Sequence, residues 1–551
     1  MSTRQSHRSG IGKSALAASF GLGLLLLLPL ARAAEGEFDL TSATLREINQ
    51  AIDAGALDSE TLVESSLARI AAYDRQGPGL NAVLTVNPRA LETARELDRE
   101  RRTRGRRSPL HGIPVVLKDN IDTSDLATTA GSFMLKDSVP PDDAYLVQRL
   151  REAGAIVLAK LSMSEFASGD SMGSLAGAIY NPHDSRRTPS GSSGGTGAAI
   201  AAAYAPIGLG TDTGGSVRSP SSANGIVGLK PTHGLISRDG IIPLALSFDT
   251  SGPMARNVYD VALALGVLAG VDPADPATAR AAGRIEKDYT SLLDAGALKG
   301  ARIGVARDFM GQDPEVDWVV EASLQAMRDA GAEVVDVKMP PWLLGAMGEF
   351  YRAIRFREFR AQIADYLATT AASYPKTLAQ LIERSMALTA ARGDGTIPNP
   401  SRWALMLEEE KSGTLEDYEY LAVRDHALPL IRGIVSGILE SGKLDAIVYP
   451  TSPTRSERVD PDPEPDDLPG SRRSPVILAN LTGFPDLIVP AGFTGRGLPV
   501  TISFLGPAFG EARLLALGYA FEQKTHARRM PESTPPLASD RIDWIPGKRG
   551  E

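Results

Sequence analysis

Serine and glycine crowd one stretch of the chain, Thr188 to Lys230, in a pattern suited to acyl transfer. Two clusters, Gly191-Ser192-Ser193-Gly194-Gly195 and Thr213-Gly214-Gly215-Ser216, flank a run of small residues that suits a short, tightly buried helix. A hydroxyl set among glycines can meet a reacting carbonyl while neighbouring peptide N–H groups reach the carbonyl oxygen. Upstream, Val115 to Leu117 reads as a buried strand with Lys118 at its end. Most lysines in that position reach solvent. One held among apolar neighbours instead gives up its proton more easily, because burial disfavours the charged form, and it can then act as a base.

Three rival readings of the stretch fare worse. A Gly/Ser linker would be solvated, yet Ala198 to Ile207 is apolar and Ile226-Val227-Gly228-Leu229 reads as a buried strand. A phosphate-cradling loop lacks its Gly-Lys-Ser/Thr ending. Gly191 to Gly195 also fits the G-x-S-x-G nucleophile elbow, but Asn181 to Arg187 before it is polar and turn-like. That elbow also needs a late histidine. His526 sits in the basic last turn of a surface helix, His426 in a helical stretch, and His233 beside Gly234 reads as a turn residue.

Composition narrows the class of protein. At 551 residues and 43% hydrophobic, the chain can bury a large core as one big domain with insertions. A formal net charge of −9 without a basic stripe disfavours a nucleic-acid partner. The absence of cysteine excludes disulfides, thiolate metal sites and a cysteine nucleophile. Residues 1–33 have the form of a secretory signal peptide: Arg4, His7, Arg8 and Lys13, an apolar run from Ala15 to Leu30, then Ala31-Arg32-Ala33 before a cut after Ala33. A periplasmic or secreted protein is therefore expected, with no stable membrane insertion once the signal is removed. The mature region, 34–551, is expected to be one domain.

The elements that must position these residues alternate between strand and helix. A capping box at Thr44-x-x-Glu47 opens a helix, a second starts at Ser59, and Ala90 to Arg104 is a charged helix with a solvated face. Strands are expected at Asn81 to Val86, Ala155 to Ala159, Arg302 to Ala306, Glu333 to Val337, Leu444 to Tyr449 and Leu487 to Val489, with a hairpin around Gly495 to Gly497. Leu161 to Ile179 has no clean periodicity and reads as a loop or short helix near the cleft. Pro341 to about Gly437 is mostly helical with a break at Gly393 to Pro400, and Val459 to Pro469 is a solvated acidic loop. The alternation implies an α/β architecture.

Several motifs together resemble the amidase signature family of serine hydrolases. They are Gly112-Ile113-Pro114 with Lys118-Asp119-Asn120, Gly191 to Gly194, Gly210 to Ser216, Gly225 to Thr232, Asp249 to Arg256, and Asn480 with Gly483-Phe484-Pro485. The likeness spans most of the mature chain and is weakest over about 280–437. It implies a large mixed β-sheet covered by helices on both faces, and hydrolysis of a carboxamide C–N bond without metal or cofactor. It also implies a triad of Ser216 as nucleophile, Ser192 as a bridging serine on a cis peptide, and Lys118 as proton acceptor. The 24-residue interval between Ser192 and Ser216 matches that of the family, so the resemblance implies Ser192 rather than Ser193. The N–H groups of Thr213, Gly214, Gly215 and Ser216 would form the oxyanion hole, with Ser193, Asp212 and Arg218 supporting the loop. Pro141 to Val147 and Arg238 to Pro243 are similar to bacterial peptide amidases, which act on C-terminal peptide amides. Two features depart from that subgroup: Thr213 precedes Gly214-Gly215-Ser216 where an Asp precedes the Gly-Ser, and the Leu161 to Pro182 loop is shorter. The alternatives are the amidotransferase component that makes ammonia for charged tRNA, and a non-catalytic protein of the same fold.

Overall fold

Near-continuous apolar runs are what strands covered on both faces require, and the chain supplies them in several strands of one sheet. The computed structural model describes residues 37–392, 399–459 and 474–544. The signal segment, most of the Gly393 to Pro400 break and nearly all of the acidic loop lie outside the described residues. The sheet's strands, in chain order, are β1 (Val83–Val86), β2 (Pro114–Lys118), β3 (Ile156–Leu161), β4 (Ile207–Asp212), β5 (Val227–Lys230) and β6 (Thr250–Ala255). They continue with β7 (Arg302–Ala306), β8 (Glu333–Val337), β9 (Ala446–Pro450), β10 (Asp486–Phe493) and β11 (Pro499–Leu505). Their spatial order is β8-β7-β9-β11-β10-β5-β6-β4-β2-β3-β1. The sheet is mixed: β2 runs parallel to both β3 and β4, while β4–β6, β5–β6 and β10–β11 are antiparallel.

Strand alternation assigns side chains to the two faces. Val115 and Leu117 of β2, with Ile207 and Leu209 of β4, enter the larger core, under helices that include Val258–Leu268 and Glu511–Thr525. Val116 faces the other way, into a core shared with helices Ser59–Tyr73, Ala90–Arg104 and Gly194–Ala201. Lys118, two residues beyond Val116, is turned to the same side as the small-residue helix. That helix lies close because β4 has glycine on this face. A Cβ at Gly208 would come within 2.6 Å of Thr196 Cγ2, and one at Gly210 within 2.8 Å of Ser193 Oγ.

Most elements fall where the sequence places them, including the capping box at Thr44 and the β7–helix–β8 unit with its parallel strands. Leu161 to Ile179 holds a single turn at Glu165–Ala167 and a two-residue-per-arm hairpin. Between β8 and β9 the chain is mainly helical, with Pro341–Thr369, Leu378–Arg392, Pro400–Glu410 and Leu428–Ser441. This block packs over the sheet end that carries Lys118 and Asp212. Two strands, β4 and β6, lie outside the expected set. Their sequences, Ile-Gly-Leu-Gly-Thr-Asp and Thr-Ser-Gly-Pro-Met-Ala, combine glycine and proline with no alternation of apolar and polar residues, so the usual strand signal is missing.

Candidate active site

Lys118 is fully buried at the end of β2. Its Nζ donates to Ser192 Oγ at 2.7 Å, to Thr211 Oγ1 at 2.8 Å and to the Thr211 carbonyl at 3.4 Å. Burial drives the lysine pKa from 10.5 down to about 7, and the carboxylates of Asp212 and Asp249 only partly oppose that. Asn120 Nδ2 also donates to Thr211 Oγ1, at 3.0 Å, and fixes that hydroxyl beside the amine. The structure brings the amine and Ser192 together, and the Gly191–Ser192 peptide is cis.

The nucleophile loop leaves β4 at Asp212 and is built around that carboxylate. Asp212 accepts from the N–H groups of Gly215 (2.9 Å) and Val217 (3.0 Å), from Asn480 Nδ2 (2.9 Å), and from Arg218 Nε and Nη2 (3.1 and 3.0 Å). Burial alone would raise its pKa, but the Arg218 guanidinium, with Asn480 and Lys230, holds it well below the usual carboxylate range. Arg218, itself fully buried, continues to Asp486 at 3.0 Å, to Asn480 Oδ1 at 2.6 Å and to the Val476 carbonyl. Asp486 also accepts the Tyr449 hydroxyl at 2.9 Å. Asp212 and Arg218 thus hold the loop.

Ser216 is half-buried, and its carbonyl accepts the Ser193 N–H at 3.3 Å, which ties the two serine clusters together. Its Oγ makes no hydrogen bond to another described residue. Ser193 Oγ faces the Thr211 main chain, donating to its carbonyl at 3.2 Å and accepting from its N–H at 3.3 Å. Ser193 is a brace between the first cluster and β4.

The expected oxyanion hole needs one correction. The Gly215 N–H points at Asp212, so it is not free to meet a substrate oxygen. The N–H groups of Thr213, Gly214 and Ser216 have no hydrogen bond within the described residues. Thr213 Oγ1 donates to Asp249, whose other oxygen accepts from Leu244 and Ala245 N–H, so the loop's first residue is anchored too. Over Gly214 lies Tyr351 of helix Pro341–Thr369, stacked on Phe248 with centroids 5.5 Å apart; a Cβ on Gly214 would sit 2.6 Å from the tyrosine hydroxyl.

No imidazole takes the place of the amine. His111, His183 and His233 are each bonded through Nε2 to a main-chain carbonyl, of Leu97, Asn224 and Leu246. Burial, reinforced by the Arg238 and Arg280 cations, pushes His233 down to about 3. Among the described residues no cluster of His, Cys, Asp or Glu could hold a metal ion.

Sequence reasoning gives Thr211, Asp249, Asn480, Tyr351 and Asp486 no place in the site. Asp486 does leave a signal: an aspartate opening the apolar run Leu487-Ile488-Val489 must be buried, and a buried charge needs a partner.

Lys118 against Ser192, with Ser216 on the adjoining loop of a mixed sheet, fits a carbon–nitrogen hydrolase, and family comparison shows that class. Residues 61–515 match the Amidase family, and the chain belongs to the amidase signature family. Among solved structures it is similar to the native peptide amidase of Stenotrophomonas maltophilia, at 41% identity and a TM-score of 0.81, covering 90% of this chain and 99% of that one. An amidase family protein from Bacillus anthracis matches at 33% identity and a TM-score of 0.79, over 90% of this chain and 93% of that one. A glutamyl-tRNA(Gln) amidotransferase subunit of Halorhodospira halophila is 37% identical over 500 residues, 89% of this chain and 99% of the relative.

Proposed function

We propose that the protein hydrolyses the carboxamide of C-terminally amidated peptides through an acyl-enzyme on Ser216. The observation that carries the reaction is the buried Lys118 amine, 2.7 Å from Ser192 Oγ with a pKa brought to about 7. A neutral amine has two N–H groups and one lone pair. Donating to Thr211 Oγ1 and the Thr211 carbonyl uses the N–H groups and leaves the lone pair to accept the Ser192 proton. Ser192 Oγ in turn takes the proton of Ser216 as its oxygen attacks the amide carbon. Hydrogen bonds of this kind often tighten only when substrate is bound. The Thr213, Gly214 and Ser216 N–H groups would receive the oxyanion, each worth about 2.7–4 kcal/mol. Collapse expels the amine, which takes its proton from Lys118 by way of Ser192. Water then attacks the acyl-enzyme along the same proton path and releases the carboxylate.

The peptide-amide assignment rests on likeness to the Stenotrophomonas enzyme along nearly the whole fold. The test is ammonia release from a panel of amidated dipeptides, aryl amides, aliphatic amides and glutamine. Dipeptide amides should turn over fastest. Turnover of aryl amides alone would remove the peptide assignment and leave the amidase, and a preference for glutamine would point to an amidotransferase-type role, as in the 37% identical relative. Fluorophosphonate labelling should modify Ser216; label on Ser193, or none, would refute the nucleophile. Export is proposed on the N-terminal pattern, and sequencing of the extracytoplasmic protein should begin at Ala34. No helix among the described residues is long and apolar enough to cross a membrane.

A further inference from the structure

A cavity lies at the far end of the β4–β6 pair from the nucleophile loop. Thr250 of β6 pairs with Asp212 at the catalytic end, and Ala255 pairs with Ile207 at the other. About 17 Å of strand separates the two ends. Arg256 follows Ala255 directly and lines a cavity of about 480 Å³, together with Arg528 and Arg46. That volume falls in the range of small-molecule sites, roughly 300–1,000 Å³.

The charges in this cavity are unbalanced. Arg256 is 4% exposed. Two of its nitrogens donate to the carbonyls of Ala205 (2.8 Å) and Leu40 (3.3 Å), and its Nε is buried without a partner among the described residues. Arg528 Nε is buried and partnerless as well, and its Nη2 reaches only Met530 Sδ, at 3.8 Å. Neither guanidinium is ion-paired within the described residues, although buried charges are normally paired. The acidic groups nearby are otherwise engaged. Glu47 closes the capping box with Thr44. Asp260 accepts the Leu45 N–H at 2.8 Å and Glu522 the Val258 N–H at 2.9 Å. Burial, with repulsion from Asp260, raises Glu522 to about 8. Burial and the neighbouring Arg256 cation together lower Arg528 to about 9.

We propose that this cavity is a binding site for a small organic anion, carboxylate- or phosphate-bearing, held between the Arg256 and Arg528 guanidinium groups. Guanidinium matches either group with paired N–H donors. Tyr259 and Tyr519 line the same cavity and offer an apolar wall to the body of such a ligand, and Arg46 lies 4.4 Å over the Tyr259 ring. The carboxylate that amide hydrolysis releases is a member of this class.

Calorimetric titration of the mature protein with benzoate and with phenyl phosphate tests the site. One equivalent of at least one probe should bind, with affinity at least tenfold weaker in Arg528→Gln and Arg256→Gln, and Arg528→Gln should keep the wild-type amidase rate. The tighter probe identifies the head group. If Arg256→Gln does not fold, Arg528→Gln and Arg528→Lys decide, the lysine variant retaining part of the affinity. No binding of either probe, or binding that Arg528→Gln leaves unchanged, would overturn the proposal.

Discussion

Replacing Lys118 by methionine should destroy activity and stabilise the protein at neutral pH. In the unfolded chain this lysine titrates near 10.5, and in the fold near 7. At 1.36 kcal/mol per pH unit, that gap corresponds to roughly 5 kcal/mol of destabilisation below pH 7, where both states are protonated. Between pH 7 and 10.5 the unfolded state holds the proton and the folded state does not, so stability rises with pH through this window. The penalty is gone above it. At pH 7, with the folded amine half-protonated, about 4 kcal/mol remains. Methionine removes this term but forfeits the hydrogen bonds to Ser192 and Thr211, worth about 1 kcal/mol each. The net expectation is a variant more stable by about 2 kcal/mol at pH 7 and less stable by a similar amount above pH 11. The assay is urea denaturation of both proteins from pH 6 to 11. Because other buried lysines titrate in both, the difference between the two curves isolates Lys118. A difference that stays flat with pH would refute the claim that burial neutralises this amine. Loss of the base should lower kcat by about 10²–10⁴-fold above about pH 8, where the wild-type amine is neutral, and by less below pH 7.

Other perturbations follow from the same geometry. In the wild type, kcat/KM should rise with pH along a limb centred near 7, as Lys118 loses its proton; a profile flat from about pH 5 to 9 would count against a lysine base. Thr211→Val removes an acceptor that favours the charged amine, so the limb should move to lower pH while kcat falls roughly tenfold, about 1.4 kcal/mol. An unmoved limb would show that Thr211 does not position Lys118. Asp212→Asn breaks one arm of the buried Asp212–Arg218–Asp486 group and should cost about 3–5 kcal/mol, read as a fall in melting temperature. An unchanged melting temperature would show that the loop is held by something else.

The residues proposed to react are more legible than the elements that hold them. Ser192, Ser216 and Lys118 stand in motifs whose glycines are explained by close packing, so the sequence announces them. β4 and β6 are silent for the same reason: the glycines that let helix Gly194–Ala201 lie on β4 also erase the strand's pattern. Lysine at a strand end is ambiguous on its own. The fold buries three such side chains, Lys118, Lys160 and Lys230. Lys160 bonds Thr128 and lies 3.5 Å from Asp119, and Lys230 bonds the carbonyls of Pro231 and Phe484. Only Lys118 meets a serine, and nothing local to its own strand says so. The Gly215 N–H misleads because a glycine-rich loop advertises donors without saying which ones a neighbouring carboxylate will claim.

Arg218 joins a loop in the first half of the chain to Val476, Asn480 and Asp486, more than 250 residues later. A polypeptide cut short before those residues would lack these partners, leaving the loop that carries Ser216 only the local hold of Asp212.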